Sequence, residues 1–154
     1  MSIARSVVCA LALAATMAAP AAGATSALVS LSSHRPGAKP VVLTIVLRYE
    51  MQCGYPGPGP IGVTLPAQMR MPTRIPRTAV LVDGHIAPSV AVSGRTISIG
   101  LPRPPQIMCD EISDGELTIA FTRSAGLENP ARAGSYTLTA SRSPSTFRAR
   151  FAIS

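Results

Sequence analysis

The chain has 154 residues and a net charge of +7 at neutral pH, with fifteen prolines, twelve glycines, three tyrosines, three phenylalanines and no tryptophan. This length is enough for one compact domain with its own hydrophobic core, so the fold need not depend on several disulfides. The frequent prolines and glycines interrupt short apolar segments, which favours strands and turns and argues against a helical protein.

Residues 1–24 have the pattern of a cleaved signal peptide. One arginine precedes the uncharged apolar run Val7 to Met17, and Ala22-Gly23-Ala24 fits the cleavage rule. The apolar run is shorter than the roughly 20 residues that span a bilayer. The sequence therefore predicts export to the periplasm, the cell surface or the exterior. The mature chain is expected to start at Thr25 and to form a single domain over residues 25–154.

Short apolar segments between turn signals predict an all-β protein, specifically an antiparallel β-sandwich of about seven to eight strands. No part of the mature chain has a sustained helical period. The candidate segments, in chain order, are Ala27–Leu31, Val41–Tyr49, Ile61–Leu65, Ala79–Val82, Ser89–Val92, Arg95–Leu101, Glu116–Thr122, Tyr136–Ser141 and Phe147–Ile153.

The apolar pattern also predicts which faces of the strands are buried. Val41 to Tyr49 is nearly continuous in its apolar character, so we expect a central strand that is buried on both faces or nearly so. The last three segments alternate with a period of two, which predicts one buried face and one solvated face. Their predicted inward side chains are Leu117, Ile119, Phe121, Tyr136, Leu138, Ala140, Phe147, Ala149, Phe151 and Ile153.

Three dipeptides predict tight turns. Asp83-Gly84 is a strong hairpin signal, and Asp114-Gly115 is predicted to turn within an acidic loop. Ser93-Gly94 is predicted to be the loop of the clearest hairpin, with Val92 opposite Arg95.

Three further stretches carry a family resemblance. They are Val63-Thr64-Leu65-Pro66 before a proline-rich crossing, the hairpins Val80–Gly84 and Val90–Ile99, and Gly126–Pro130 followed by Ala133–Thr139. Together they resemble an immunoglobulin-like module of bacterial exported and cell-surface proteins, over Val63 to about Ser141. The resemblance implies an immunoglobulin-like antiparallel sandwich. Because that family is a scaffold without a shared active site, it also implies a non-catalytic structural, adhesive or binding role.

Cys53 and Cys109 are the two cysteines that remain after signal cleavage. Exported chains meet an oxidising environment, where an even pair of cysteines indicates a disulfide. The sequence therefore predicts a bond between Cys53 and Cys109.

The methionines near these cysteines leave a soft-metal interpretation open. Thioether and thiolate ligands suit Cu(I), and His34 or His85 would add an imidazole. This alternative describes a small periplasmic or extracellular copper-binding protein, and it excludes the disulfide. The disulfide is favoured, and neither a metal nor a cofactor is expected. The candidate ligands of the alternative are Met51, Cys53, Met69, Met71, Met108 and Cys109.

The remaining reactive side chains match no catalytic motif. The chain has two histidines and lacks a nucleophile elbow, a zinc motif and a phosphate loop, so no enzymatic activity is expected. The acidic segment Asp110 to Glu116 departs from the EF-hand spacing because Ile112 occupies a ligand position. A solvated loop is the favoured interpretation of that segment.

The excess of arginine leaves a third function open. Once Arg5 is removed, the mature chain carries 13 cations against 7 carboxylates, a net charge of +6. Such a surface attracts anionic envelope polymers. The favoured alternative is that outward strand positions are simply polar and that basic residues discourage edge-to-edge aggregation. The sequence names no particular partner, whether an envelope protein or a polymer. Nucleic acid is not expected, because export removes it and aromatic side chains are scarce. The arginines concerned are Arg70, Arg74, Arg77, Arg123, Arg142, Arg148 and Arg150.

Overall fold

The computed structural model describes residues 26–52, 59–102, 112–143 and 145–154, and the predicted signal peptide lies outside them. The described residues form ten strands and two single-turn 3-10 helices, Arg77–Ala79 and Arg123–Ala125. The strands are β1 (Ser26–Leu31), β2 (Leu43–Gln52), β3 (Pro60–Thr64), β4 (Val80–Val82), β5 (His85–Ile86), β6 (Val90–Ser93), β7 (Thr96–Gly100), β8 (Ile112–Phe121), β9 (Gly134–Arg142) and β10 (Ser145–Ile153).

The strands form two antiparallel sheets of five strands each. Sheet A has the order β1-β2-β8-β4-β5, and sheet B has the order β10-β9-β3-β7-β6. This arrangement confirms the predicted all-β sandwich, with more strands than the seven to eight expected. The two sheets bury one hydrophobic core between them. Its largest fully buried side chains are Phe121, Leu43, Ile45, Leu47, Ile61, Leu65, Met69, Ile97, Ile99, Leu117, Ile119 and Leu127.

The period-two alternation of the last three strands correctly identifies their inward faces. Nine of the ten predicted side chains are buried, and Tyr136 is half-buried. The Tyr136 ring packs on Phe151, with ring centroids 5.9 Å apart. Its hydroxyl donates to the Arg132 carbonyl at 2.8 Å, which holds this tyrosine at the rim of the core.

The Val41–Tyr49 segment is buried on one face and mostly half-buried on the other, so its outward face is less covered than expected. β2 is central in sheet A, between β1 and β8, as predicted. However, Leu43, Ile45 and Leu47 point into the core, whereas Val46 on the outward face is only half-buried. The nearly continuous apolar pattern arises because Val46 is an apolar residue at an outward position, between Thr44 and Arg48.

In the β6–β7 hairpin the predicted loop is wrong by one residue and the predicted pairing by two. Its loop is Gly94-Arg95 rather than Ser93-Gly94, and Val92 pairs with Ile97 rather than with Arg95. Gly94 has a φ of 57° and stands at the first central position of the turn. Glycine is the residue that a type II′ hairpin needs there, so the glycine moves the loop forward by one residue.

The other two predicted turns have opposite outcomes. Asp83 and Gly84 have φ angles of 48° and 81°, as a type I′ turn requires. This turn connects β4 to β5, a two-residue strand that is not among the predicted segments. Asp114-Gly115 does not form a turn. These residues lie inside β8, where Asp114 pairs with Glu50 and Gly115 with Tyr49, because ten continuous pairs with β2 extend the strand through the acidic segment.

The described residues define two ends of the sandwich. One end, called here the Gln52 end, contains Gln52, Pro60, Gly100 and Ile112. The other end, called the Asn129 end, is held by the buried side chain of Asn129. Its Nδ2 donates to the carbonyls of Ser33 and Arg35, at 2.8 Å and 3.0 Å. The Asn-Pro motif of the sequence therefore has a structural role at this end.

Candidate functional site

The candidate metal ligands that the structure describes lie at opposite ends of the sandwich. Met51 is in β2 at the Gln52 end, beside Ser113 of β8. Met69 is fully buried at the Asn129 end, and Met71 is half-buried there. The adjacent Arg70 bridges to Glu128 in the loop before Asn129.

The other candidate ligands do not complete a metal site around Met51 or around Met69 and Met71. Cys53, Met108 and Cys109 lie outside the described residues. His34 is exposed at the Asn129 end, with Nδ1 2.8 Å from the Ala152 carbonyl oxygen, and His85 lies in the edge strand β5. Among the described residues, no three His, Cys, Asp or Glu side chains are grouped closely enough to hold a metal ion.

The acidic segment that sequence analysis weighed for calcium continues into a strand. Asp110 and Glu111 lie outside the described residues, and β8 begins at Ile112. Glu116 accepts a hydrogen bond from Arg48 Nε at 2.8 Å, across the β2–β8 pair. Both side chains are about half exposed, so this ion pair contributes little to stability.

The predicted arginines do not converge on one site. Arg148 and Arg150 are exposed on the outward face of β10, whereas Arg77 and Arg123 lie in the two 3-10 helices. Arg142, at the end of β9, is half-buried and engaged with other groups. Among the described arginines, Arg148 and Arg150 form a local pair of cations on β10, and the predicted set does not form a continuous basic surface.

The outward face of sheet B next to this pair is lined with hydroxyl groups. The register places Thr139, Thr64 and Thr96 side by side on β9, β3 and β7. Thr64 Oγ1 lies 2.8 Å from Thr96 Oγ1, and Arg148 is the register partner of Thr139. The row presents hydrogen-bond donors and acceptors, with positive charge at one edge.

A shallow groove of about 560 Å³ runs beside the edge strand β6. It is lined by Val90 to Val92 on one side and by Thr73 to Pro76 on the other. Arg74 is the one ionisable side chain of this lining, so the groove offers contact area rather than paired acid and base groups.

Sequence reasoning missed the role of Arg95. This half-buried side chain donates hydrogen bonds from Nη2 to the carbonyl oxygens of Pro66 and Met69, which organise the crossing between the sheets. A lone arginine after a turn glycine carries no sequence signal for this role. The contact depends on chain segments that are more than 25 residues apart in sequence.

Sequence reasoning also missed Tyr49. Its ring packs on Phe147 with centroids 5.2 Å apart, and its hydroxyl oxygen is shielded from solvent. Burial raises the pKa of Tyr49 above the ordinary value of a tyrosine, and the positive charge of Arg142 opposes that rise only in part. The group is therefore a neutral core element at physiological pH.

Comparison with known proteins adds evidence on the fold alone. No family model and no curated protein matches the chain. Among solved structures, the chain is similar to one described as BslA, a bacterial hydrophobin, with a TM-score of 0.52 and 13% identity. The alignment covers 86% of this chain and 95% of that one. No helix in the described part of the chain is long and apolar enough to cross a membrane. At this level of identity the likeness shows a shared two-sheet β architecture.

Proposed function

We propose that this chain is an exported, non-catalytic structural or adhesive module of the cell envelope or the extracellular space. The observation that carries the proposal is how the described residues use their buried polar groups. Asn129 and Arg95 have the geometry of precisely placed functional side chains, yet both bind backbone carbonyls of the fold itself. These groups stabilise a scaffold, and the larger contact surfaces are the outward faces of the sheets.

The order of the strands supports an immunoglobulin-like sandwich as the scaffold. In that fold one sheet has the order A-B-E-D and the other joins C, F and G. Here β1-β2-β8-β4 and β10-β9-β3 have the same neighbours, if β8, β9 and β10 are taken as E, F and G. The Tyr136 hydroxyl bond to the Arg132 carbonyl is of the kind that the tyrosine corner makes. The departure lies in the middle of the chain, where the β4–β5 and β6–β7 hairpins join different sheets.

The similar solved structure points in the same direction. It is described as a bacterial hydrophobin. With that likeness in view, we take a structural role as the function to test first.

Binding of an anionic envelope polymer is a second candidate, supported by Arg148 and Arg150. Both are exposed, and as second neighbours on β10 they are about 7 Å apart along the strand. They flank the hydroxyl row of sheet B, so one polymer chain would meet charge and hydrogen-bonding groups together. This second function names an anionic polymer of the envelope as the partner, and it requires that the protein be exported.

Fractionation of native cells tests the first proposal. An antibody against the purified protein should find it in the envelope or the medium, and deletion of its gene should weaken attachment or envelope cohesion without loss of a metabolic activity. Recovery from the cytosol would contradict the proposal. The second candidate predicts that salt releases the protein from cell walls and that Arg148→Gln with Arg150→Gln abolishes retention, whereas Arg70→Gln with Arg74→Gln leaves it unchanged.

A further inference from the structure

The edge strands of the two sheets are protected to different degrees. On one side of the sandwich β1 and β10 lie against each other, so each edge has the other beside it. On the other side the edges are β5, which has two residues, and β6, which has four. Edge strands are commonly protected by charged residues, proline or a bulge. β6 has none of these, because its sequence is Val-Ala-Val-Ser and its register with β7 is continuous.

The hydrogen-bonding pattern of the β6–β7 pair leaves backbone groups of β6 unused. The residues that flank a two-residue hairpin loop form a hydrogen-bonded pair, and such pairs recur at every second residue. The Gly100 amide donates to the Ser89 carbonyl at 2.8 Å, which agrees with this alternation. Val90 and Val92 therefore direct their N–H and C=O groups away from β7. No other backbone group in the described part of the chain bonds to them.

The free edge of β6 borders the shallow groove of about 560 Å³. Val90 and Val92 lie on one wall of the groove, and Thr73 to Pro76 of the crossing between the sheets form the other wall. No backbone hydrogen bond joins these two described segments. The volume lies within the range of ligand sites, about 300–1,000 Å³. The unused backbone groups therefore face an open space with a second wall, which has room for a chain segment.

We propose that this groove binds an extended acidic peptide segment of a partner protein, which adds to β6 as a further strand of sheet B. The unused groups of Val90 and Val92 repeat at about 7 Å, the spacing at which a neighbouring strand presents its own groups. A segment as long as β6 would satisfy both N–H and both C=O groups. The proposal adds a binding site to the structural role above and does not depend on where the protein is located.

The second wall of the groove favours a peptide over a second copy of this chain. Arg74 is exposed and is the one ionisable side chain of the lining. Edge-to-edge pairing of two copies through β6 would bring the Thr73–Pro76 walls and the Arg74 side chains of both copies to one seam. Like charges would then meet in a chain that is basic overall, whereas a carboxylate on a peptide would be attracted to Arg74.

Titration of the isotope-labelled protein with a synthetic peptide, followed by NMR, tests the proposal. The probe is acetyl-Thr-Val-Glu-Val-Thr-amide, and a second peptide carries lysine in place of glutamate. The amide protons of Val90 and Val92 should shift and exchange more slowly with solvent, because peptide carbonyls accept them. N-methylation of one alternate set of peptide residues should weaken binding about tenfold or more, and N-methylation of the other set should have little effect, because a strand pairs through every second residue.

Two protein variants test the two walls separately. Val92→Pro removes an outward N–H that the β6–β7 ladder does not use, so it should weaken binding about tenfold. Arg74→Glu leaves the edge unchanged and should weaken binding of the glutamate peptide about fivefold while strengthening that of the lysine peptide. Arg150→Glu makes the same change of charge at the opposite edge of sheet B and is the matched control. Near-UV circular dichroism verifies that each variant is folded.

Four results would overturn the proposal. They are the absence of binding of either peptide at millimolar concentration, equal weakening by the two N-methylated sets, and equal effects of Arg74→Glu and Arg150→Glu. The fourth is slower exchange at Val90 and Val92 in the free protein as its concentration rises, which would indicate a second copy paired through β6.

Discussion

Gln52, the last residue of β2, is the register partner of Ile112, the first residue of β8. The chain reaches Cys53 one residue after Gln52, and Cys109 lies three residues before Ile112. Both cysteines are therefore connected by short segments to one point of sheet A. A disulfide needs Cα atoms about 4.4–6.8 Å apart, and segments this short allow that separation.

The first prediction is that the bond between Cys53 and Cys109 stabilises the fold. It would close a loop of 57 residues, counting both cysteines. Loop entropy for that length gives about 4 kcal/mol as an upper figure. Urea unfolding of the native protein with and without reductant should show this difference, and the variant Cys53→Ser with Cys109→Ser should match the reduced protein in both conditions. Identical unfolding of oxidised and reduced protein would contradict the prediction.

The second prediction concerns Phe121, which is fully buried between the sheets. Phe121→Ala should lower the free energy of unfolding by about 3–5 kcal/mol, because it removes buried area and leaves a cavity. Urea denaturation measures the change. Thr137→Ala, at an exposed position of β9, serves as the control and should change stability by less than about 0.5 kcal/mol. A loss below about 1 kcal/mol for Phe121→Ala would contradict the observed packing.

The third prediction concerns Asn129, whose amide binds the carbonyls of Ser33 and Arg35. Asn129→Ala removes both hydrogen bonds of this buried side chain and should destabilise the protein by about 1–3 kcal/mol. Hydrogen exchange should show faster opening at Val41, whose amide binds Leu127 at the same end. Ser124→Ala, an exposed change in the neighbouring 3-10 helix, is the control. Unchanged exchange at Val41 would show that Asn129 does not hold this end together.

The fourth prediction concerns alkaline pH. The folded state raises the pKa of Tyr49 through burial, so Tyr49 holds its proton more tightly when folded than when unfolded. The resulting stability is complete below the pKa of an unfolded tyrosine, about 10, and is lost as pH rises through the folded value. Tyr49→Phe should remove this loss of stability at high pH, together with the tyrosinate absorbance that develops at the highest pH. Arg142→Gln removes a positive charge that favours the tyrosinate, so it should move that absorbance change to still higher pH. An unchanged titration in Arg142→Gln would contradict the assignment of this absorbance to Tyr49.

The sequence pattern predicted the inward faces well because side-chain alternation is a local property of a strand. Leu117, Ile119 and Phe121 are buried as expected. The burial of the outward face of β2 was overestimated because an apolar residue at an outward position, such as Val46, has the same local signal as one in a doubly covered strand. The difference depends on whether a second layer is present, which no short segment encodes.

The parts of the site that the sequence could not predict depend on contacts between distant segments. Arg95 binds carbonyls about 26 and 29 residues away, and Tyr49 becomes buried only when Phe147 packs on it. The extra length of β8 has the same origin, because pairing with β2 carries the strand through Asp114-Gly115 against local turn preference.

The intact mass of the protein isolated from native cells decides whether this chain is an exported, disulfide-bonded structural module. We expect to recover from the envelope or the medium a chain that begins at Thr25 and is two hydrogens lighter than the reduced chain, with no thiol open to alkylation. A cytosolic chain that retains Met1, with Cys53 and Cys109 both alkylated without reductant, would contradict it.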